Sequence, residues 1–330
     1  MDRSRALPVI AVLGATGAQG GSTARALLGG GRFAVRALTR FPDGPAAHAL
    51  RRAGAQVVQA DLDQPATLRA AFEGVQGLFA VTPFWTHHSP EREFEQARHI
   101  ALAAAAARVP HVVWSTQEDT RRWAPLDDTA WPVTRGCWRV PHHDAKGAAD
   151  ALFAERGVPT TRLVLSFFWD SLLRFGLQPQ RAADGHLVFT WPMGARPMPG
   201  MAVADVGPVV QALLADPQRW TGRRLGVAGA HVDGARMAAV LARALGEPVR
   251  HRSPAFEEFA ALPVPAAEAW AAMFRFLHDY GDEVRASRPV AVARGLHGGL
   301  LDFEGWVDRH AEALRAARSG SAYEAGLLAR

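Results

Sequence analysis

Val9-Ile-Ala-Val-Leu-Gly14-Ala-Thr-Gly17-Ala-Gln-Gly20 sets the fold class of the chain. Val9 to Leu13 is a short apolar run, the pattern of a strand buried on both faces. It stops at Gly14, and Gly17 and Gly20 follow at three-residue spacing. Ser22 to Leu28 then carries helical periodicity. Strand, glycine turn and helix together are the context that a dinucleotide fingerprint requires. Gly14 permits the tight turn, Gly17 lets the backbone approach a pyrophosphate, and Gly20 lets the helix pack on the strand. Ala15, Thr16, Ala18 and Gln19 complete the turn, and the free N–H groups of the helix face the phosphates. The spacing is GxxGxxG, a variant of GxGxxG. A tight β–α turn that binds nothing is the plain alternative, and the elements downstream argue against it.

Further strands are expected at Phe33–Arg40, Ala55–Asp61, Gly77–Thr82, His111–Thr116 and Thr160–Leu165. Helical stretches alternate with them at Pro45–Arg52, Thr67–Phe72, Glu91–Arg108 and Asp144–Arg156. Right-handed crossovers between such strands give an α/β fold with a doubly wound parallel Rossmann sheet, assigned to residues 1–165. From Ser166 the pattern changes to short strands, loops and helices. Residues 166–330 are expected to form a smaller, mixed α/β C-terminal lobe for substrate or partner, with about 203–230 returning to pack on the Rossmann domain. Gln117 to Pro141 is a long irregular loop, the signature of a lid or binding segment.

Ligands of open α/β sheets bind at the carboxyl edge of the strands. Arg40 stands 20 residues after Gly20, where a carboxylate would otherwise accept the ribose 2′-OH of NAD. A guanidinium there pairs with a 2′-phosphate, so NADP(H) is expected over NAD(H). Asp61 reads as an adenine contact or as the cap of the following turn. Thr82, Pro83 and Phe84 close the fourth strand on the same edge.

Lys146 is the single lysine, against 36 arginines, and the only tyrosines are Tyr280 and Tyr323. A Tyr four residues before a Lys would pair a phenol that moves a proton with an ammonium that lowers its pKa and can hold a ribose. Here His142 occupies that position, so the standard acid is absent. His142 reads as a replacement proton donor near neutral pH or as a surface histidine. The pairs His87-His88 and His142-His143 lack the i, i+4 geometry of a zinc site, so no metal is expected. The net charge of +5 comes with no basic stripe interleaved with aromatics, which excludes nucleic acid as an expected partner. No apolar run approaches 18 residues, so no membrane span is expected. The first apolar run is too short for a signal peptide. A lone Cys137 fits a reducing cytoplasm.

With these residues placed, the chain resembles the NmrA-like family, atypical members of the short-chain dehydrogenase/reductase superfamily, and especially its mammalian NADPH-sensing branch. The resemblance runs from about Pro8 to about Leu314. Gly14-Ala-Thr-Gly-Ala-Gln-Gly-Gly21, Thr39-Arg40, Asp144-Ala-Lys146-Gly147, Met198-Pro-Gly-Met-Ala-Val-Ala-Asp205-Val-Gly-Pro-Val-Val210 and Met273-Phe-Arg-Phe276 carry it. It implies NADP(H) binding through the glycine turn, Arg40, Thr82-Pro83-Phe84, Lys146 and the segment Phe167-Phe168-Trp169-Asp170. It also implies a redox-sensing regulator with little or no turnover, acting through NADPH/NADP⁺. The alternative is a working NAD(P)H-dependent reductase of quinones or small carbonyl compounds, with Lys146 and His142 as its catalytic residues. A protein partner, a small-molecule substrate and a homodimer stay open. Beyond Arg40 the sensing branch has further basic residues, whereas Pro42-Asp43-Gly44 follows here, and the loop at Gln117–Pro141 is longer.

Overall fold

The apolar run forms strand β1 (Val9–Val12), and helix α1 (Ala18–Gly30) follows the glycine turn. The computed structural model describes residues 6–129, 131–133 and 136–317. Tyr323 lies outside the described residues. Strand and helix then alternate as β2 (Ala34–Thr39), α2 (Pro45–Arg52), β3 (Gln56–Gln59), α3 (Pro65–Phe72) and β4 (Gly77–Ala80). A short helix α4 (Phe84–His87) precedes α5 (Pro90–Ala106), β5 (Val112–Thr116), α6 (Pro141–Glu155) and β6 (Thr160–Val164). Arg224–Gly226 adds a seventh strand. The sheet order is Arg224–Gly226, β6, β5, β4, β1, β2, β3, and every pairing is parallel. The order runs outward from β1 in both directions. The crevice between the ends of β1 and β4 is therefore the topological switch point, where such sheets take ligands.

Local chemistry sets the helix boundaries. Prolines 45, 65, 90 and 141 stand in the first turns of α2, α3, α5 and α6, where the missing N–H costs nothing. Gly31 ends α1 in the left-handed conformation, at φ 63°. One face of the sheet is sealed by Phe72, Leu78, Ile100, Trp114, Leu152 and Phe153, all buried. Burial of such side chains is the main stabilising term of the layer.

Two compact units emerge. The first runs up to Leu165 and includes Val203–Gly226; the second holds Ser166–Ala202 and continues from Val227. In the first unit, helix Val206–Ala215 packs against α1 where Gly207 N–H donates to Ser22 Oγ at 3.0 Å. In the second, Met198–Met201 lies between Phe167–Phe168 and Ala230–Val232. Leu187–Thr190 lies between Gln180–Arg181 and Val249–Arg252. Helices Gly234–Leu245, Ala267–Asp279 and Phe303–Ala317 accompany these small sheets.

Three local differences from the sequence expectations bear on function. Helix α6 starts at Pro141 rather than Asp144, which places His142 and His143 on a helix instead of in a loop. Strand β3 stops at Gln59, so Asp61 lies beyond it, in the turn toward α3. Helices Gly281–Ala286 and Val290–Leu296 are too short to show a period in the sequence.

Two stability predictions follow from this packing. A Cβ on Gly20 would sit 2.3 Å from the Gly14 carbonyl oxygen and 2.4 Å from that of Leu13. Gly20→Ala should therefore cost about 1–3 kcal/mol in urea unfolding. Unchanged stability would contradict the close packing of α1 on β1. His111 is buried, with Nε2 2.8 Å from Thr161 Oγ1, and burial lowers its pKa from 6.5 to about 4. The unfolded chain thus binds more protons between those values. The resulting stability is complete above about pH 6.5 and declines as pH falls toward 4, by about 3 kcal/mol. His111→Gln should remove most of that slope, and an unaltered slope would place its origin elsewhere.

Candidate cofactor site

The glycine turn is tied down from both sides. Gly14 adopts φ +60°, and its carbonyl accepts the Gly17 N–H at 2.8 Å. Ala15 N–H donates to Leu38 O at 3.1 Å, which fixes the turn to the end of β2. Thr16 Oγ1 meets Thr39 Oγ1 at 3.2 Å. Ser115 Oγ donates to Gln19 Oε1 at 2.8 Å, so the end of β5 orients Gln19. Gly14, Thr16 and Gly17 are exposed, whereas Ala15 and Gly20 are buried, and Ala18 and Gln19 are half-buried.

At α1 no side chain caps the N-terminus, and no acidic residue stands in the first turn. Its orphan N–H groups and positive dipole end need an acceptor. A Cβ on Gly17 would meet only the Gly14 carbonyl oxygen, at 3.2 Å. This cradle of open backbone and unused donors fits the pyrophosphate of a dinucleotide.

Arg40 is exposed just past β2, with its guanidinium carbon 5.4 Å from the Phe41 ring centroid. Phe41 is itself 65% exposed, an unusual state for a large aromatic. Arg40 and Phe41 thus present a cation and a flat apolar face side by side. Asp61 closes the turn into α3, the second of its two expected roles, by its own hydrogen bonds. Its Oδ1 accepts the Asp63 N–H at 3.0 Å, and its own N–H donates to Thr67 Oγ1.

Lys146 reaches the end of β4. Its Nζ lies 2.6 Å from Thr82 Oγ1, 3.1 Å from Thr82 O and 2.6 Å from Glu93 Oε1. Three acceptors thus surround an ammonium that has three N–H groups. Thr82 Oγ1 in turn donates to Glu93 Oε1 at 2.7 Å. Trp114 lies alongside, its ring centroid 5.4 Å from Nζ. The Glu93 side chain is fully buried. Burial pushes its carboxyl up, but the Lys146 charge, the nearby His87 ring and hydrogen bonds from Lys146 and Thr82 outweigh this and leave it below the usual carboxylate range. Pro83 and Phe84 continue from Thr82, half-buried and buried respectively, into α4.

Sequence reasoning missed Glu93 and His87. A signal for Glu93 exists: with Ala97, Ile100, Ala101 and Ala104 it forms the buried stripe of α5. A carboxylate on an apolar helical stripe must be paired inside the protein. His87 carries no such signal, since α4 is a single turn.

His142 and Lys146 are one turn apart on α6. His142 is buried against Phe84, Trp85 and His143, with ring centroids 5.4, 4.9 and 4.7 Å away. Burial, with His143 beside it, holds its pKa well below the ordinary histidine range. Lying in a buried aromatic cluster, it is not the surface histidine that was the plainer of its two readings. The segment leading into α6 is held by Asp144, whose carboxylate accepts Thr120 N–H and Oγ1–H and the N–H groups of Arg139 and Val140 at 2.6–3.0 Å.

The remaining expected residues belong to the second unit. Phe167 packs on Trp191 and Trp270, Phe168 pairs with Met201 in the small sheet, and Trp169 packs on Phe303. Asp170 opens the short helix Ser171–Arg174. Among the described residues, no group of three His, Cys, Asp or Glu is placed to hold a metal ion, and no helix is long and apolar enough to cross a membrane.

Comparison with known proteins places this geometry. The NmrA-like oxidoreductase FrzB of a Cladobotryum species is 28% identical over 302 residues, spanning 85% of this chain and 87% of its own length. The NmrA-like oxidoreductase hkm9 of Aspergillus hancockii is 31% identical over 234 residues, 65% of each chain. The crystal structure of NmrA, a negative transcriptional regulator, in complex with NADP has TM-score 0.75 at 22% identity, covering 98% of this chain and 99% of that one. The Escherichia coli NADPH-dependent quinone oxidoreductase QOR2, complexed with NADPH, has TM-score 0.71 at 21% identity, covering 92% and 99%. These structures share the fold. The profile described as the NmrA-like family matches residues 8–307, and the chain belongs to that family.

Proposed function

We propose that the carboxyl edge of the first unit binds NADP(H) and that the chain is a reductase of acceptors that need no proton from the protein, quinones foremost. The observation that carries this is a built cofactor cradle with no ready acid beside it. The phenol of the superfamily is missing, burial of His142 disfavours its charged form, and the three N–H groups of Lys146 are already met by internal acceptors. Bound NADPH supplies a hydride. A carbonyl that accepts it becomes a strongly basic alkoxide and calls for a positioned acid. A quinone becomes a weakly basic phenolate, which water can protonate. The curated relatives named above are called oxidoreductases, and one spans most of this chain. The missing Tyr also supports a second reading, a regulator that binds NADP(H) without turnover.

Rapid mixing of the NADPH-loaded protein with a benzoquinone and with a benzaldehyde separates these readings. Oxidation at least tenfold faster with the quinone is expected. Binding without oxidation by any acceptor favours the regulator, and no binding overturns both.

Arg40 supports a preference for the 2′-phosphate. Arg40→Ala should weaken NADPH by about 1.5–3 kcal/mol and leave NADH nearly unchanged. Equal weakening of the two would remove that preference. Gly17→Val places a branched side chain in the cradle, with its Cβ 3.2 Å from the Gly14 carbonyl oxygen. Calorimetric titration should show lost NADPH binding with the circular dichroism spectrum retained. Wild-type affinity in this variant would put the cofactor elsewhere.

A further inference from the structure

We infer that Glu93 is the positioning residue of this site: it fixes the place and direction of the Lys146 ammonium, with the His87 ring packed against its other oxygen. The proposal rests on the reading that Lys146 lies at the cofactor edge. Four elements meet at one carboxylate. Glu93 comes from the first turn of α5, Thr82 from just past β4, His87 from α4 and Lys146 from α6.

The donors are distributed between the two oxygens. Oε1 receives Thr82 Oγ1–H at 2.7 Å and faces Lys146 Nζ at 2.6 Å. Oε2 faces His87 Nε2 at 3.4 Å. The tautomer of His87 is set by the backbone. Its Nδ1 accepts the Ser89 N–H at 3.1 Å, so the ring proton sits on Nε2, the nitrogen nearer Glu93, without an aligned hydrogen bond to it. Ser89 also caps α5, its Oγ accepting the Arg92 N–H at 3.2 Å. The cap of α5, the ring of His87 and the carboxylate of Glu93 are thus one connected device. A lysine side chain has four rotatable bonds; the two Thr82 oxygens hold Nζ by neutral acceptors, and the Glu93 carboxylate adds the fixed anion that restricts it further. Arginine would place a broad fork against Thr82 and Trp114, where a compact ammonium fits. This accounts for a lone lysine in a chain that otherwise uses arginine.

Because Lys146 is the only lysine, incorporation of [¹⁵Nζ]lysine gives one side-chain signal, and no cofactor is needed to read it. The wild type should show a protected ammonium resonance, displaced by the Trp114 ring. Glu93→Gln keeps the shape and removes the charge. It should speed exchange of the Nζ protons at least tenfold and move the signal toward that of free lysine. His87→Phe should give a smaller change in the same direction, and it serves as the second variant should Glu93→Gln not fold. An unchanged signal in folded Glu93→Gln overturns the proposal. NADPH titration then keeps the two readings apart. Glu93→Gln and Lys146→Met should each weaken NADPH at least tenfold. Weakening by Lys146→Met alone sinks the role of Glu93. Full affinity in Lys146→Met sinks the cofactor reading at Lys146, and the Nζ signal still judges Glu93.

Discussion

A carboxylate with no exposure to water cannot stay charged without internal partners, and Glu93 is such a carboxylate. Its partners are drawn from β4, α4 and α6, so satisfying one buried charge brings together most of the ligand edge of the sheet. Replacing such a pair by apolar side chains is often neutral or better for stability, whereas removing one partner costs about 3–5 kcal/mol. Stability alone does not explain a buried ion pair at the switch point of a doubly wound sheet. On the proposed function, it fixes the position of a charge at the cofactor edge.

The other half of the edge works without side-chain charge. The turn after β1 offers backbone donors, an uncapped helix start and two exposed glycines. Ser115 holds Gln19 and Thr39 meets Thr16, so the ends of β5 and β2 brace the turn from opposite sides. Fixed dipoles of this kind need no rearrangement when an anion arrives. Arg40 and Phe41 extend the same edge past β2, with a guanidinium and an aromatic face already adjacent.

Much of this was legible in the sequence. The strand at Val9, the three glycines, the alternation up to Thr160 and the lone Lys146 all follow from period, composition and turn chemistry. The site chemistry was less legible because it is made across elements. Nothing local shows that Lys146 will meet a residue 53 positions earlier. The Glu93 signal, a carboxylate on an apolar stripe, required the helix phase of α5 to be taken seriously. His142 was misplaced because Pro141 starts its helix three residues before Asp144. That shift turns a histidine expected in a loop into a buried ring on a helix. Asp61 belonged to the turn because β3 ends two residues before it.

The most direct measurement of the central claim is a double-mutant cycle on urea unfolding, with Glu93→Gln, Lys146→Met and both together. If the buried pair organises this edge, each single change costs about 3–5 kcal/mol. The double variant then costs less than their sum by about 1–3 kcal/mol. Additive losses would mean that Glu93 and Lys146 do not act on each other, and the account of the site built on them would be wrong.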